Sequence, residues 1–129
     1  MKNLKFNKTL APDGLRLPSA VFRIGDFASN EEAEVRPIQD AVVVLKRRMT
    51  ALELAGTIQS LHALSVELGV ELVKACGLCR DCVEGCPRDA PDQLLRQGLS
   101  ADTLEGLLEA GICLGRLARL TKEDRVVYG

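Results

Sequence analysis

The sequence predicts an α+β chain in which a strand-bearing head is followed by one long helix, a cysteine loop and a small helical tail. Three features predict this. The stretch Val42–Val43–Val44–Leu45 is a β-branched run in the first fifty residues. Thr50 to Glu53 forms a capping box ahead of some twenty-five residues without a proline. Beyond it, Cys76, Cys79, Cys82 and Cys86 crowd into one short segment ending at Pro87. The boundary drawn from these features separates residues 1–48, the β domain, from residues 49–129, the helical domain with the cysteines.

Composition narrows the function. The chain has 129 residues, 47% of them hydrophobic and 27% charged, which marks a globular protein of one or two small domains. Aromatic residues make up only 3%, with no Trp, so a base-stacking platform for single strands is not expected. Residues 1–50 carry nine Lys/Arg against six Asp/Glu, while the rest carries eight against twelve. A mildly basic head on an acidic body permits phosphate contact or simply a solvated mixed surface. The first residues lack the apolar core of a secretory signal, and no apolar run reaches membrane-spanning length. A cytoplasmic setting follows as the expectation, where clustered thiols favour metal or redox work over structural disulfides.

In the head, "GLRLP" (residues 14–18) alternates briefly and stops at a proline, as a short edge strand does. "AEVRPI" (33–38) alternates again, and "QDAVVVLKR" runs apolar on both faces, predicting a strand covered on two sides. A few short strands in about fifty residues cannot provide that cover, so a second copy of the chain is the simplest source.

The same residues, "LRLPSAVFRIGDF" and "EEAEVRPIQDAVVVLKR", resemble the swapped-hairpin half-barrel of the AbrB/MazE/SpoVT transition-state regulators. The resemblance covers the first third of the chain. It implies a strand ending at a proline, a helical turn, a Gly-Asp, a strand, a tight turn and a valine-rich strand, with two chains interleaved into one barrel. It also implies binding to double-stranded DNA. The family carries a basic residue a few positions after the proline; Phe22 and Arg23 stand in that neighbourhood here, and the turn before Gly25-Asp26 is shorter. The candidate DNA contacts are Arg16, Arg23, Lys46, Arg47 and Arg48, mainly to phosphates. For the last three, a solvated strand-to-helix junction is the competing reading.

The helix after Thr50 is predicted to end at Cys76, with Gly77 as the C′ residue. Leu54, Ile58, Leu61, Ser65, Leu68, Leu72 and Ala75 follow a heptad spacing, which suits a helix partner from the second copy. Ala63, Val66, Val70 and Val73 form a second stripe, expected to be covered by the C-terminal segment. His62, the single histidine, lies about 21 Å before Cys76 along the axis, too far to share a metal with it.

Cys76, Cys79, Cys82, Cys86 and Pro87 give C-x2-C-x2-C-x3-C-P, the ferredoxin-type run whose thiolates wrap a [4Fe–4S] cluster. Only one such run is present, so completing a cluster would take all four cysteines, Cys113, or a partner's Cys86. Zinc is the competing metal, since four thiolates satisfy a tetrahedral site. Reversible thiol/disulfide chemistry and inert packing on one helix face are the other readings. Cys113, in "EAGICLGRL", is expected to be a core cysteine, with a fifth-ligand role as the alternative.

In the tail, "RDAPDQ" reads as a connector and "LLRQGLSADTLEGLLEAG" as one or two helices, with Ser100 capping the second. "ICLGRLARL" continues the helical pattern, and "RVVYG" ends as a strand or docked segment. There is no phosphate loop, no Ser/His/Asp set, no paired-carboxylate motif and no recognised small-molecule site, so no enzyme is expected. Two functions stand side by side. One is a homodimeric DNA-binding transcriptional regulator with a cysteine cluster that binds metal or senses redox state. The other is a small iron–sulfur or zinc protein whose β domain serves dimerisation or protein docking alone.

Overall fold

The computed structural model describes residues 5–81, 86–123 and 125–129; Cys82 and Glu84 of the cysteine run lie outside them. The elements are α1 (Ser19–Ile24), β1 (Ala33–Ile38), β2 (Ala41–Lys46), α2 (Ala51–Cys76), a 3-10 turn (Cys79–Asp81), α3 (Ala90–Arg96), α4 (Ala101–Glu109) and α5 (Leu114–Glu123). The fold is mixed α+β, with a two-stranded antiparallel sheet and one long helix. Contacts group the chain into two units, Met1–Gln59 and Ser60–Gly129, the division falling within α2. Among the described residues, no helix is long and apolar enough to cross a membrane.

In the first unit, β1 and β2 pair from Ala33 opposite Lys46 to Ile38 opposite Ala41. The two-residue turn places Asp40 at φ 61°, a left-handed position that Asp tolerates better than most residues. Just beyond the strands the Arg47 N–H donates to the Glu32 carbonyl at 3.3 Å. Counting from that bonded pair, bonded and non-bonded pairs alternate, and Pro37 opposite Val42 is a non-bonded one. The missing N–H of Pro37 therefore faces away from β2, which is why a proline fits inside this strand.

The Leu17–Pro18 pair leads into α1, and α1 ends at Gly25, whose N–H donates to the Val21 carbonyl at 3.1 Å. Asp26 then takes φ 62°, and Phe27 folds back so that its ring meets Phe22 edge-on at 5.7 Å between centroids. One expectation fails in this unit. Residues 14–18 form no strand, only an isolated bridge between Ala11 and Gly14, because among the described residues no neighbouring strand takes up their backbone groups. Within one copy of the chain β2 is open, with Val42 63% exposed and Val43, Val44 and Leu45 half-buried. No described residue from 5 to 59 is buried.

The α2 capping box forms as expected. The Glu53 N–H donates to Thr50 Oγ1 at 3.2 Å, and the Thr50 N–H donates to Glu53 Oε1 at 3.0 Å. At the other end Gly77 adopts φ 76° and its N–H donates to the Val73 carbonyl at 2.7 Å, closing the helix.

The second unit holds the core. Cys76, Ala90, Leu94, Leu104, Ile112, Leu114, Leu117, Ala118 and Leu120 form one buried cluster, with Leu72, Val73, Ala75, Leu99 and Leu107 packed on it. Leu94 of α3 and Ile112 before α5 are fully buried. The tail covers less of α2 than the second stripe implies. Val73 is packed, but Val66 and Val70 remain about half exposed, as does the seam at Leu54, Ile58, Leu61 and Leu68. "APDQ" is not connector: it opens α3, with Pro91 in the first turn, where its absent N–H has no helical partner to lose. Ser100 caps α4, its Oγ accepting from the Thr103 N–H at 3.1 Å. Residues 125–129 adopt neither helix nor strand.

Candidate functional site

Three stretches of the second unit meet at the start of α5: the end of α2, the Cys86–Pro87 segment, and the loop that carries Gly111 to Cys113. Leu78 and Ile112 form an antiparallel bridge. It is fastened by the Cys79 N–H donating to the Gly111 carbonyl at 2.8 Å and the Cys113 N–H donating to the Gly77 carbonyl at 3.3 Å. The bridge needs both glycines. Gly77 and Gly111 have φ of 76° and 87°, where a side chain strains the backbone, and a Cβ on Gly111 would approach Leu78 Cδ2 at 3.3 Å.

This short pairing sets Cys76, the last residue of α2, beside Cys113, the residue whose carbonyl accepts the first bond of α5 from Leu117. Both are buried, at 1% and 3% exposure. Burial pushes the Cys76 thiol up from its ordinary range, and the neighbouring Cys113 thiol adds to this while Arg116 opposes it. Cys76 is thus held as a neutral thiol inside the apolar cluster.

Cys79 and Cys86 are exposed. Cys86 and Pro87 lie directly on α5. A Cβ on the buried Gly115 would stand 2.8 Å from Pro87 Cδ and 3.4 Å from Cys86 Sγ, so the glycine is what lets this segment dock. Arg116, the next residue, brings its guanidinium to 3.5 Å from the Cβ position of Gly77.

The predicted ligand set is therefore split: Cys76 is buried, as is Cys113, while Cys79 and Cys86 are at the surface and Cys82 lies outside the described residues. Among the described residues no three His, Cys, Asp or Glu side chains form a group that could hold a metal ion. The described thiols alone do not fit a zinc ion or a [4Fe–4S] cube, both of which need several thiolates at one point. Cys113 is a buried cysteine, as its apolar setting predicts, but sequence reasoning missed its pairing with Cys76 and the seat that Gly115 provides. The available signal was the pair of glycines flanking "ICL", since glycines in a helical pattern often mark close backbone approach.

The basic residues of the first unit differ in their commitments. Arg16, Arg23 and Arg48 are exposed. Lys46 is not: its side chain is 16% exposed, with the ammonium 3.1 Å from Glu53 Oε2, 3.9 Å from Asp26 Oδ2 and 6.0 Å above the Phe27 ring. The hydrogen bond to Glu53 raises the Lys46 pKa. Glu53 is lowered in turn, first by the Thr50 N–H and then by Lys46. Arg47 is exposed and ion-paired with Glu32. His62 is exposed on α2.

No protein-family model matches this chain, and neither a curated protein nor a solved structure matches it.

Proposed function

We propose that this chain is a homodimeric, AbrB-like DNA-binding regulator whose second unit carries a responsive thiol centre. The observation that carries the reading is the state of the first unit. None of its described residues is buried, although Leu15, Leu17, Ile24, Val35, Ile38 and Val42 are all large and apolar. A lone hairpin is at best marginal in water. The apolar seam of α2, exposed at Leu54, Ile58, Leu61 and Leu68, calls for cover of the same kind. A second copy supplies both at once, and α1, β1 and β2 follow in the order the family resemblance implies, although the strand it implies before Pro18 does not form in a single copy. Arg16, Arg23 and Arg48 are then the residues left to meet phosphates.

One observation favours the second reading, in which the β unit serves dimerisation or docking and the chain is a small iron–sulfur or zinc protein. Lys46 and Arg47 already face carboxylates, which reduces the positive charge offered to DNA.

Sedimentation at micromolar concentration, followed by duplex DNA affinity measured against salt, tests the proposal. The expected result is a dimer whose log affinity falls with log salt by roughly 0.9 per phosphate contacted. A dimer with no salt-dependent binding to any duplex would leave the second reading, and a stably folded monomer would remove the regulator and leave the β unit only protein docking. Anaerobic purification with metal analysis and a visible spectrum separates iron–sulfur, zinc and metal-free thiols as the form of the thiol centre.

A further inference from the structure

We propose that Cys76 and Cys113 are a disulfide-forming pair, and that this long-range pair, rather than a link within the C-x2-C-x2-C run, is the oxidised form of the second unit. The placement comes from the backbone. The hydrogen bonds from Cys79 to Gly111 and from Cys113 to Gly77 hold the two short segments in antiparallel register. Cys113 therefore stands opposite Gly77 and next to Cys76. Directly opposite residues of an antiparallel pair lie about 4.5–5.5 Å apart at Cα; Cys76 precedes the residue opposite Cys113 by one, so the two cysteines are diagonal neighbours across the bridge, within backbone reach of a disulfide.

The two exposed thiols sit on the flanks of the buried pair. Cys79 belongs to the bridge segment, and Cys86 packs against Gly115, two residues after Cys113. Oxidant is met at the surface and the bond settles in the interior. With a small-molecule disulfide as oxidant the chemistry balances: the S–S bond of RSSR breaks, the Cys76–Cys113 S–S bond forms, and the two thiol protons leave with two RSH. Two protein thiols are oxidised and one disulfide is reduced.

The test is the full chain, metal-free, equilibrated in reduced and oxidised glutathione, trapped with an alkylating agent and mapped without reduction. Trypsin leaves Cys76 and Cys79 together in residues 75–80 and Cys113 in residues 97–116. The expected cross-link joins these two peptides, and it persists in Cys79→Ser, which assigns it to Cys76. A triple variant, Cys79→Ser, Cys82→Ser and Cys86→Ser, keeps only the pair. It is expected to lose both free thiols and two mass units, at a glutathione ratio at least tenfold more reducing than the same chain requires in urea. Cross-links confined to residues 75–88, glutathione adducts without an internal bond, or equal behaviour in native buffer and urea would each overturn the proposal. Should the triple variant fail to fold, the peptide map of the wild-type chain and of Cys79→Ser decides.

Discussion

Gly115→Ala probes whether the Cys86–Pro87 segment is seated on α5 as described. Two effects oppose each other. Replacing a helical glycine with alanine gains at most about 1 kcal/mol through backbone entropy. Against that, the new methyl would stand 2.8 Å from Pro87 Cδ, inside any normal carbon contact, with Cys86 Sγ at 3.4 Å and Cys86 Cα at 3.7 Å. The pyrrolidine ring cannot swing aside as a flexible side-chain tip does, so the segment or the helix must shift. Overpacking of this kind costs about 1–3 kcal/mol. The net expectation is a loss of up to about 2 kcal/mol. Gly106→Ala in α4 is the internal control, because a Cβ there meets nothing within 4 Å. It keeps the entropic gain alone and should stabilise by up to about 1 kcal/mol. Urea unfolding of the three proteins at one fixed concentration gives the comparison, and alkylation of Cys86 in native buffer should be faster in the Gly115 variant. If Gly115→Ala stabilises as much as Gly106→Ala, with unchanged Cys86 reactivity, the segment does not rest on α5.

Further expectations concern the core, the helix cap, pH and oxidation. Leu94→Ala empties a fully buried position in α3 and should cost about 2–5 kcal/mol by the same urea measurement. Thr50→Ala removes the Oγ1 acceptor of the capping box and should cost about 0.5–2 kcal/mol, with reduced helicity by circular dichroism. The folded-state pKa of Glu53 is depressed, so its stabilising contribution is present in full at neutral pH. It is lost as pH falls below the unfolded value of about 4.3 and through the folded one. The stability gap between wild type and Glu53→Gln should accordingly be open at pH 7 and close in acid; a gap that widens in acid would contradict the pairing. Formation of the Cys76–Cys113 bond closes a loop of about 38 residues and should raise stability by roughly 4 kcal/mol on the chain-entropy estimate.

Local chemistry was readable in the sequence wherever it acts over a few residues. The Thr50–Glu53 box, Gly77 at the end of α2, Ser100 at the start of α4 and the strands around Asp40 all form as their residue types require. The errors lie where a neighbour decides. Residues 14–18 alternate like a strand, yet a strand exists only with a pairing edge, and the described residues of a single copy offer them none. "APDQ" looks like a connector by composition but folds as the first turn of α3, a position that suits proline. The cysteine spacing directs attention to ligands adjacent in sequence, while the cysteine set opposite Gly77, next to Cys76, comes from 37 residues later. Spacing cannot reveal that, because the pairing depends on Leu78 meeting Ile112 in three dimensions.

Pro37 has one more consequence. Since its nitrogen faces outward, the outer rim of β1 presents a gap among its donors at that point, whereas Val42, Val44 and Lys46 on the opposite rim can all donate. Any strand that extends this sheet therefore finds a complete ladder along β2 and a broken one along β1. A single imino acid gives the hairpin a preferred side for growth.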